Sequence, residues 1–236
     1  MPGAAAQPMS ELDTLQRHVI KCHLCPRLVR WREKIAREKT RRFADQEYWG
    51  KPNPSFGDPR AELLLVGLAP AAHGGNRTGR MFTGDRSGDW LYRALCKAGH
   101  ANQPTSSSRG DGLILTNCYI TATCRCAPPE NKLLPKEIMN CRPFLLKELL
   151  LLNRVKVVVG LGRIGFDAAA AAVREFSGGP KGKKPLFSHG AEYELNDRFS
   201  LIGSFHPSQQ NTFTGKLTEP MFDSIFRRAH SLLEKS

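Results

Sequence analysis

Three short segments of the chain concentrate side chains able to do chemistry. The first, LLLVGLAPAAHGGNRTGRMFTGDRSGDWL at 63–91, runs from an apolar stretch into a loop and then into a helix pattern. Its loop holds Gly74, Gly75, Gly79, Gly84 and Gly88 beside His73, Asn76, Arg77, Thr78, Arg80, Phe82 and Asp85. That is a dense set of donors and cations with one aromatic ring and one carboxylate. Glycine permits close backbone approach, and successive N–H groups can hold an anion. No G-K-[ST] follows, and no G-x-G-x-x-G opens the helix, so a nucleotide cofactor is not the first reading. The second segment, RCAPPENK at 125–132, carries Asn131, whose amide can both donate and accept a hydrogen bond. The third, SFHPSQQN at 204–211, carries His206, fixed beside Pro207.

Each of these residues also has a plainer reading. Phe82 could be a core aromatic at the foot of the loop, and His206 a strand-end histidine. Asn131 follows Pro128-Pro129-Glu130 as a turn asparagine would. Asp85 and Asp89 both stand where carboxylates cap a helix and favour its dipole.

Seven cysteines and no visible secretion signal argue against a full disulfide framework. Cys22 and Cys25 form a C-x-x-C pair just before Pro26; Cys126 and Cys141 form a second pair with fourteen residues between them. A centre joining the pairs would pin the N-terminal segment to the rest of the domain. Spacing alone leaves zinc and an iron–sulfur cluster equally open. Cys96 and Cys118 fall in expected helix and strand interiors, where a buried free thiol is ordinary.

The elements that must position these residues follow from periodicity. Strands are expected at 63–68, 113–118, 155–160 and 199–203, with a short edge strand at 192–195. Helices are expected at 10–21 (capped by Ser10), 26–39, 87–98, 135–152, 164–175 and 218–234. The polar loops at 102–111 and 177–184 read as exposed. Strands alternating with helices predict an α/β fold, a three-layer α/β/α sandwich around a mostly parallel central sheet. The three chemical segments each follow an expected strand, which places them on one rim of that sheet. Residues 10–236 are read as one domain behind a flexible tail at 1–9.

Hydrophobic residues are 40% of the chain, which excludes a disordered protein. No apolar run is long enough to span a bilayer, and a soluble intracellular protein is expected. The net charge of +13 is clustered. Arg27, Arg30, Arg32, Lys34, Arg37, Lys39, Arg41 and Arg42 crowd one segment, and Lys181, Lys183 and Lys184 another. Such clusters favour a polyanionic partner.

The pattern GLAPAAHGGNRTGRMFTGD, followed by RCAPPENK and then SFHPSQQN, closely resembles the type-5 (family B) uracil-DNA glycosylases. The resemblance runs from about Cys22 to the C-terminal helix. It implies a monofunctional DNA-repair glycosylase that flips uracil, and other deaminated bases, out of double-stranded or single-stranded DNA. It points to Asp85 and His206 as catalytic residues. Gly67, Ala69, Ala71, His73, Phe82 and Asn131 would bind the substrate base, with Phe82 as platform. Asn76, Arg77 and Arg80, and the run Ser208, Gln209, Gln210 and Asn211, would contact DNA. The resemblance tips the cysteines to a structural [4Fe–4S] cluster on Cys22, Cys25, Cys126 and Cys141, with Cys126 preferred over Cys124. It further implies a monomer in the cytoplasm of a bacterium or archaeon.

Overall fold

The computed structural model of the protein describes residues 10–179 and 183–235. The expected tail at 1–9 and the lysine at 181 lie outside the described residues. Two helices open the chain. The first, α1 (Glu11–Ile20), is capped by Ser10, whose side chain accepts from the Asp13 N–H. The second, α2 (Pro26–Glu38), starts on Pro26, which lacks an N–H that the first turn would leave unpaired. The short strand β1 (Phe56–Gly57) and the buried β2 (Leu63–Gly67) follow. After them come the single turn α3 (Gly75–Thr78), then α4 (Arg86–Lys97) and β3 (Cys118–Ala122). The rest of the chain is α5 (Pro135–Leu151), β4 (Val157–Leu161), α6 (Gly162–Phe176), β5 (Glu192–Glu194), β6 (Ser200–Ser204), the short α7 (Gln209–Phe213) and α8 (Glu219–Lys235).

The sheet order is β1-β3-β2-β4-β6-β5. The β2·β3, β2·β4 and β4·β6 pairs are parallel, and the two edge strands pair antiparallel. Strands such as LLLVG and VVVGL are apolar without alternation because both their faces are covered. Side chains of period two divide between two cores. Leu63, Leu65, Val157, Val159 and Ile202 pack on Leu91 and Leu95 of α4 and on Phe222 and Phe226 of α8. Leu64, Val66, Val158 and Leu201 pack on Leu12 and Leu15 of α1, Leu145 and Leu149 of α5, and Phe166 and Val173 of α6. This is the expected three-layer sandwich.

Two local expectations needed correction, and one strand was unforeseen. The strand placed at 113–118 is instead β3, at Cys118–Ala122. Asn117, with φ 50°, turns the chain just before it, and only CYITA gains burial on both faces. Leu115 makes no more than an isolated bridge to Ala101. Strand β1 carried no periodic signal, being two residues long. The loop at 102–111 is not simply exposed: Ser106 is buried, and Asp111 turns inward to pair with Arg80 at 2.7 Å.

Candidate active site

Strand order decides where a ligand can sit. From β2 the chain crosses through α4 to β3 on one side; from β3 it crosses through α5 to β4 on the other side of β2. The carboxyl ends of β2 and β4 therefore form the switch point of the sheet, the crevice in which α/β proteins bind ligands. Gly67 ends β2, and Gly162 begins α6 directly after β4.

Two rings from distant loops meet there. A Cβ on Gly67 would fall 3.0 Å from Phe82 Cζ, so the Phe82 ring lies over the end of β2. His206, just past β6, stands beside it, with ring centroids 5.8 Å apart and planes inclined by 30°. Gly162 (φ +79°) leaves room for His206, whose Cβ would lie 3.2 Å from an added methyl group. Phe82 itself holds φ 51°, an uncommon conformation for a bulky side chain. Gly88 makes it possible, since a Cβ there would fall 1.9 Å from the Phe82 carbonyl oxygen. Backbone strain of this kind persists only where surrounding structure enforces it, and it gathers at functional sites.

Asp85 is the N-cap of α4 and accepts from the Gly88 N–H at 3.0 Å. Its second oxygen lies against Gly74, where a Cβ would come within 1.9 Å. Burial raises its pKa to about 6, against the lowering effect of backbone N–H groups. Burial acts in the opposite direction on His206, lowering its pKa to about 4 and keeping the imidazole neutral at pH 7. The site thus offers a carboxylate that titrates near neutrality and a neutral histidine, held on separate loops. Asp89, one turn along α4, is exposed.

The remaining expected residues divide. Ala69, Ala71 and His73 line the start of the loop at intermediate burial. His73 Nδ1 lies 3.0 Å from the Tyr48 hydroxyl. Asn131 sits in a turn (Pro129–Asn131) with φ 56°, exposed. This backbone fits its reading as a turn asparagine.

The three phosphate contacts expected in the loop are instead buried side chains with partners inside the protein. Asn76 is buried and donates to the Arg32 carbonyl at 3.1 Å. Arg77 is buried, stacks 3.9 Å over the Phe43 ring, and donates to the His73 and Gly84 carbonyls. Arg80 is buried and bonds both oxygens of Asp111 at 2.8 and 2.7 Å, besides Ser106 and Thr83. These side chains brace the loop from within.

In the third segment, Ser208 caps α7 and Gln209 and Gln210 are exposed at its start. Asn211 turns back instead, its amide donating to the His206 carbonyl at 2.8 Å. It positions the histidine. One residue that the sequence reading did not single out is Phe213, which ends α7 and is 67% exposed. The guanidinium carbon of Arg86, the residue after Asp85, lies 4.6 Å from its ring centroid. An aromatic inside the polar run QQNTFTGK was the available signal.

Among the described residues, no group of three or more His, Cys, Asp or Glu side chains is drawn tightly enough to hold a metal ion. The chemistry of the cysteines nonetheless fits a cluster. Cys25 and Cys126 share one buried patch with Leu28. Cys22 and Cys141 act electrostatically on both. Arg32 donates to Cys126 Sγ at 3.0 Å and Asn140 to Cys25 Sγ at 3.4 Å, the kind of N–H···S contact that suits ligating thiolates. Burial raises the Cys25 pKa and pushes Cys126 up to about 12, so both rest as neutral thiols unless a positive centre binds them. Cys124 is fully buried and donates to the Glu137 carbonyl.

Comparison with known proteins gives a consistent answer. The sequence pattern of the family described as Uracil DNA glycosylase superfamily matches residues 54–230. The type-5 uracil-DNA glycosylase of Mycobacterium tuberculosis (strain CDC 1551 / Oshkosh) is 50% identical over 231 residues, covering 98% of this chain and 84% of that protein. That of Thermus thermophilus is 49% identical over 211 residues, covering 89% and 93%. That of Pyrobaculum aerophilum is 40% identical over 222 residues, covering 94% and 93%.

Proposed function

The chain belongs to the uracil DNA glycosylase superfamily and acts as a uracil-DNA glycosylase, a DNA-repair hydrolase of N-glycosyl bonds; we propose that the crevice over β2 and β4 is where it does so. The observation that carries this reading is the meeting of Phe82 and His206 at the switch point, with the partly buried carboxylate of Asp85 on the same loop as Phe82. Breaking the bond between base and deoxyribose puts positive charge on the sugar and negative charge on the departing base. Phe82 stacks the flipped base. The neutral His206 donates to the base oxygen as it becomes anionic, a contact strongest in the transition state. Asp85 positions water and offsets the sugar cation. The small side chains of Ala69 and Ala71 leave room for deaminated bases besides uracil. Incubating the protein with uracil-containing duplex, then cleaving abasic sites with alkali, tests the activity; intact strands would reject it.

When a flipped base leaves the duplex, the gap favours an inserted apolar group. Phe213 suits that role. Phe213→Ala should lower excision from duplex by about tenfold, roughly 1.4 kcal/mol, and affect single-stranded substrate far less. An equal loss on both substrates would remove the wedge from the mechanism.

A [4Fe–4S] cluster held by Cys22, Cys25, Cys126 and Cys141 would fasten the α1–α2 junction to the segment after β3 and to α5. Its role here is structural. The protein purified without oxygen should be brown and contain iron. Cys126→Ser should strip the iron and unfold the N-terminal helices, while Cys124→Ser should retain both. Stoichiometric zinc in place of iron in anaerobic protein would reject the cluster.

A further inference from the structure

Part of the basic segment 27–42 is tied up within the fold, while Arg30, Arg37, Arg41 and Arg42 stay exposed. Arg27 pairs with Glu137 at 2.7 Å, Arg32 is buried against Cys126, Lys34 faces Glu38 at 3.9 Å, and Lys39 donates to the Ala44 carbonyl. What remains is directional. A groove of about 670 Å³ runs between the end of α1, α2 and the stretch Tyr48 to Lys51. Lys21, Arg37 and Lys51 line it and are exposed. The groove's one carboxylate, Glu33, lies 3.7 Å from Arg32, and among the described residues those three exposed cations form no ion pair.

Trp49 anchors one wall. Its indole N–H donates to the Pro52 carbonyl at 3.1 Å. Lys51 lies 5.3 Å and Arg109 4.7 Å from its ring centroid, so the indole holds two cations at the groove edge. The same stretch is tied to the active-site loop. Trp49 N–H donates to the Arg77 carbonyl at 2.8 Å, Gly50 N–H to the Asn76 carbonyl at 3.0 Å, and the Tyr48 hydroxyl meets His73. This backbone pairing fixes the groove wall directly to the active-site loop.

We propose that the groove between α2 and Tyr48–Lys51 is a second DNA contact, in which Lys21, Arg37 and Lys51 neutralise backbone phosphates outside the extruded nucleotide. The proposal rests on the glycosylase reading for its ligand. It makes the N-terminal helices part of the DNA footprint as well as the scaffold of the cysteines. It also moves phosphate binding away from the buried Arg77 and Arg80.

The test is the salt dependence of affinity for a duplex, measured on the full-length protein. Each phosphate that the protein no longer neutralises lowers the slope of log K against log salt by about one. Arg37→Gln/Lys51→Gln should lower it by about two and weaken binding at least about tenfold at physiological salt. Each single exchange should lower the slope by about one, which keeps the test valid if the double variant folds poorly. The exchange Arg37→Lys/Lys51→Arg should keep the parent slope. Neutralising Arg228 and Lys147, on other faces, should leave it unchanged. Parent-like slopes in the groove variants would overturn the proposal, as would an equal drop in the charge-preserving exchange. Excision by the parent protein is read separately. If the parent excises uracil and the groove variants bind like it, the groove alone fails. If the parent excises nothing while the slope still falls, the glycosylase reading fails and the groove stands.

Discussion

His206→Ala should slow single-turnover excision of uracil by about two to three decades, because one well-placed donor to a developing anion is worth roughly 2.7–4 kcal/mol. The loss should fall on the chemical step with little change in DNA affinity, since the contact strengthens only in the transition state. Burial keeps the imidazole neutral down to about pH 4, so histidine titration should not shape the profile near neutrality. Asp85 should shape it. Its pKa of about 6 means that the ionised form accumulates as pH rises through 6. Excision should therefore rise across that range and then level off. Asp85→Asn should slow the reaction and flatten the rise. The exposed Asp89 serves as control, and Asp89→Ala should retain activity and the same profile. A dead Asp89→Ala beside an active Asp85→Ala would transfer the role to Asp89.

The same shift has a stability consequence of opposite sign. The folded pKa of Asp85 lies above its ordinary value of 3.8, so ionisation disfavours the fold. The cost is absent below both values, grows as pH rises between them, and is complete above about pH 6. Asparagine caps a helix as well as aspartate. Asp85→Asn should therefore be the more stable protein at pH 7 to 8, although the slower enzyme.

Glu148→Ala should cost about 3–5 kcal/mol of folding stability, a large share of the roughly 5–15 kcal/mol of an ordinary domain. Glu148 is fully buried on α5 and Arg125 is 1% exposed. Their side chains meet at 2.6 Å. Thr121 donates to the same carboxylate at 2.6 Å and Gln16 of α1 at 2.9 Å, while Arg125 also donates to Ser55. Removing the carboxylate leaves a buried guanidinium uncompensated, which is the expensive case; replacing both partners with apolar residues of similar volume should recover much of the loss. Urea unfolding at pH 7 measures both. A loss below about 1 kcal/mol for Glu148→Ala would mean that water reaches the pair. Arg125 lies between Cys124 and Cys126, so the network also steadies the segment that presents Cys126.

Local pattern was enough to place most of the machinery. The unbroken runs LLLVG and VVVGL announce strands covered on both faces, and Ser10 and Pro26 mark helix starts that the structure keeps. Because three chemical segments each follow a strand, their meeting at one rim was legible before any coordinate. Phe82 and His206 do meet there. The fate of the loop's polar residues was not legible. Asn76, Arg77 and Arg80 look like surface donors because a glycine-rich, charged segment reads as solvated. Their partners are Arg32, Gln46 and Asp111, brought close only by tertiary folding. The groove at Trp49 and the exposed Phe213 have the same origin. Periodicity reports which face of an element is apolar, and motif order reports which rim a loop joins. Which cations are buried and which remain free for DNA depends on pairing between segments distant in sequence, and only the packed chain decides that.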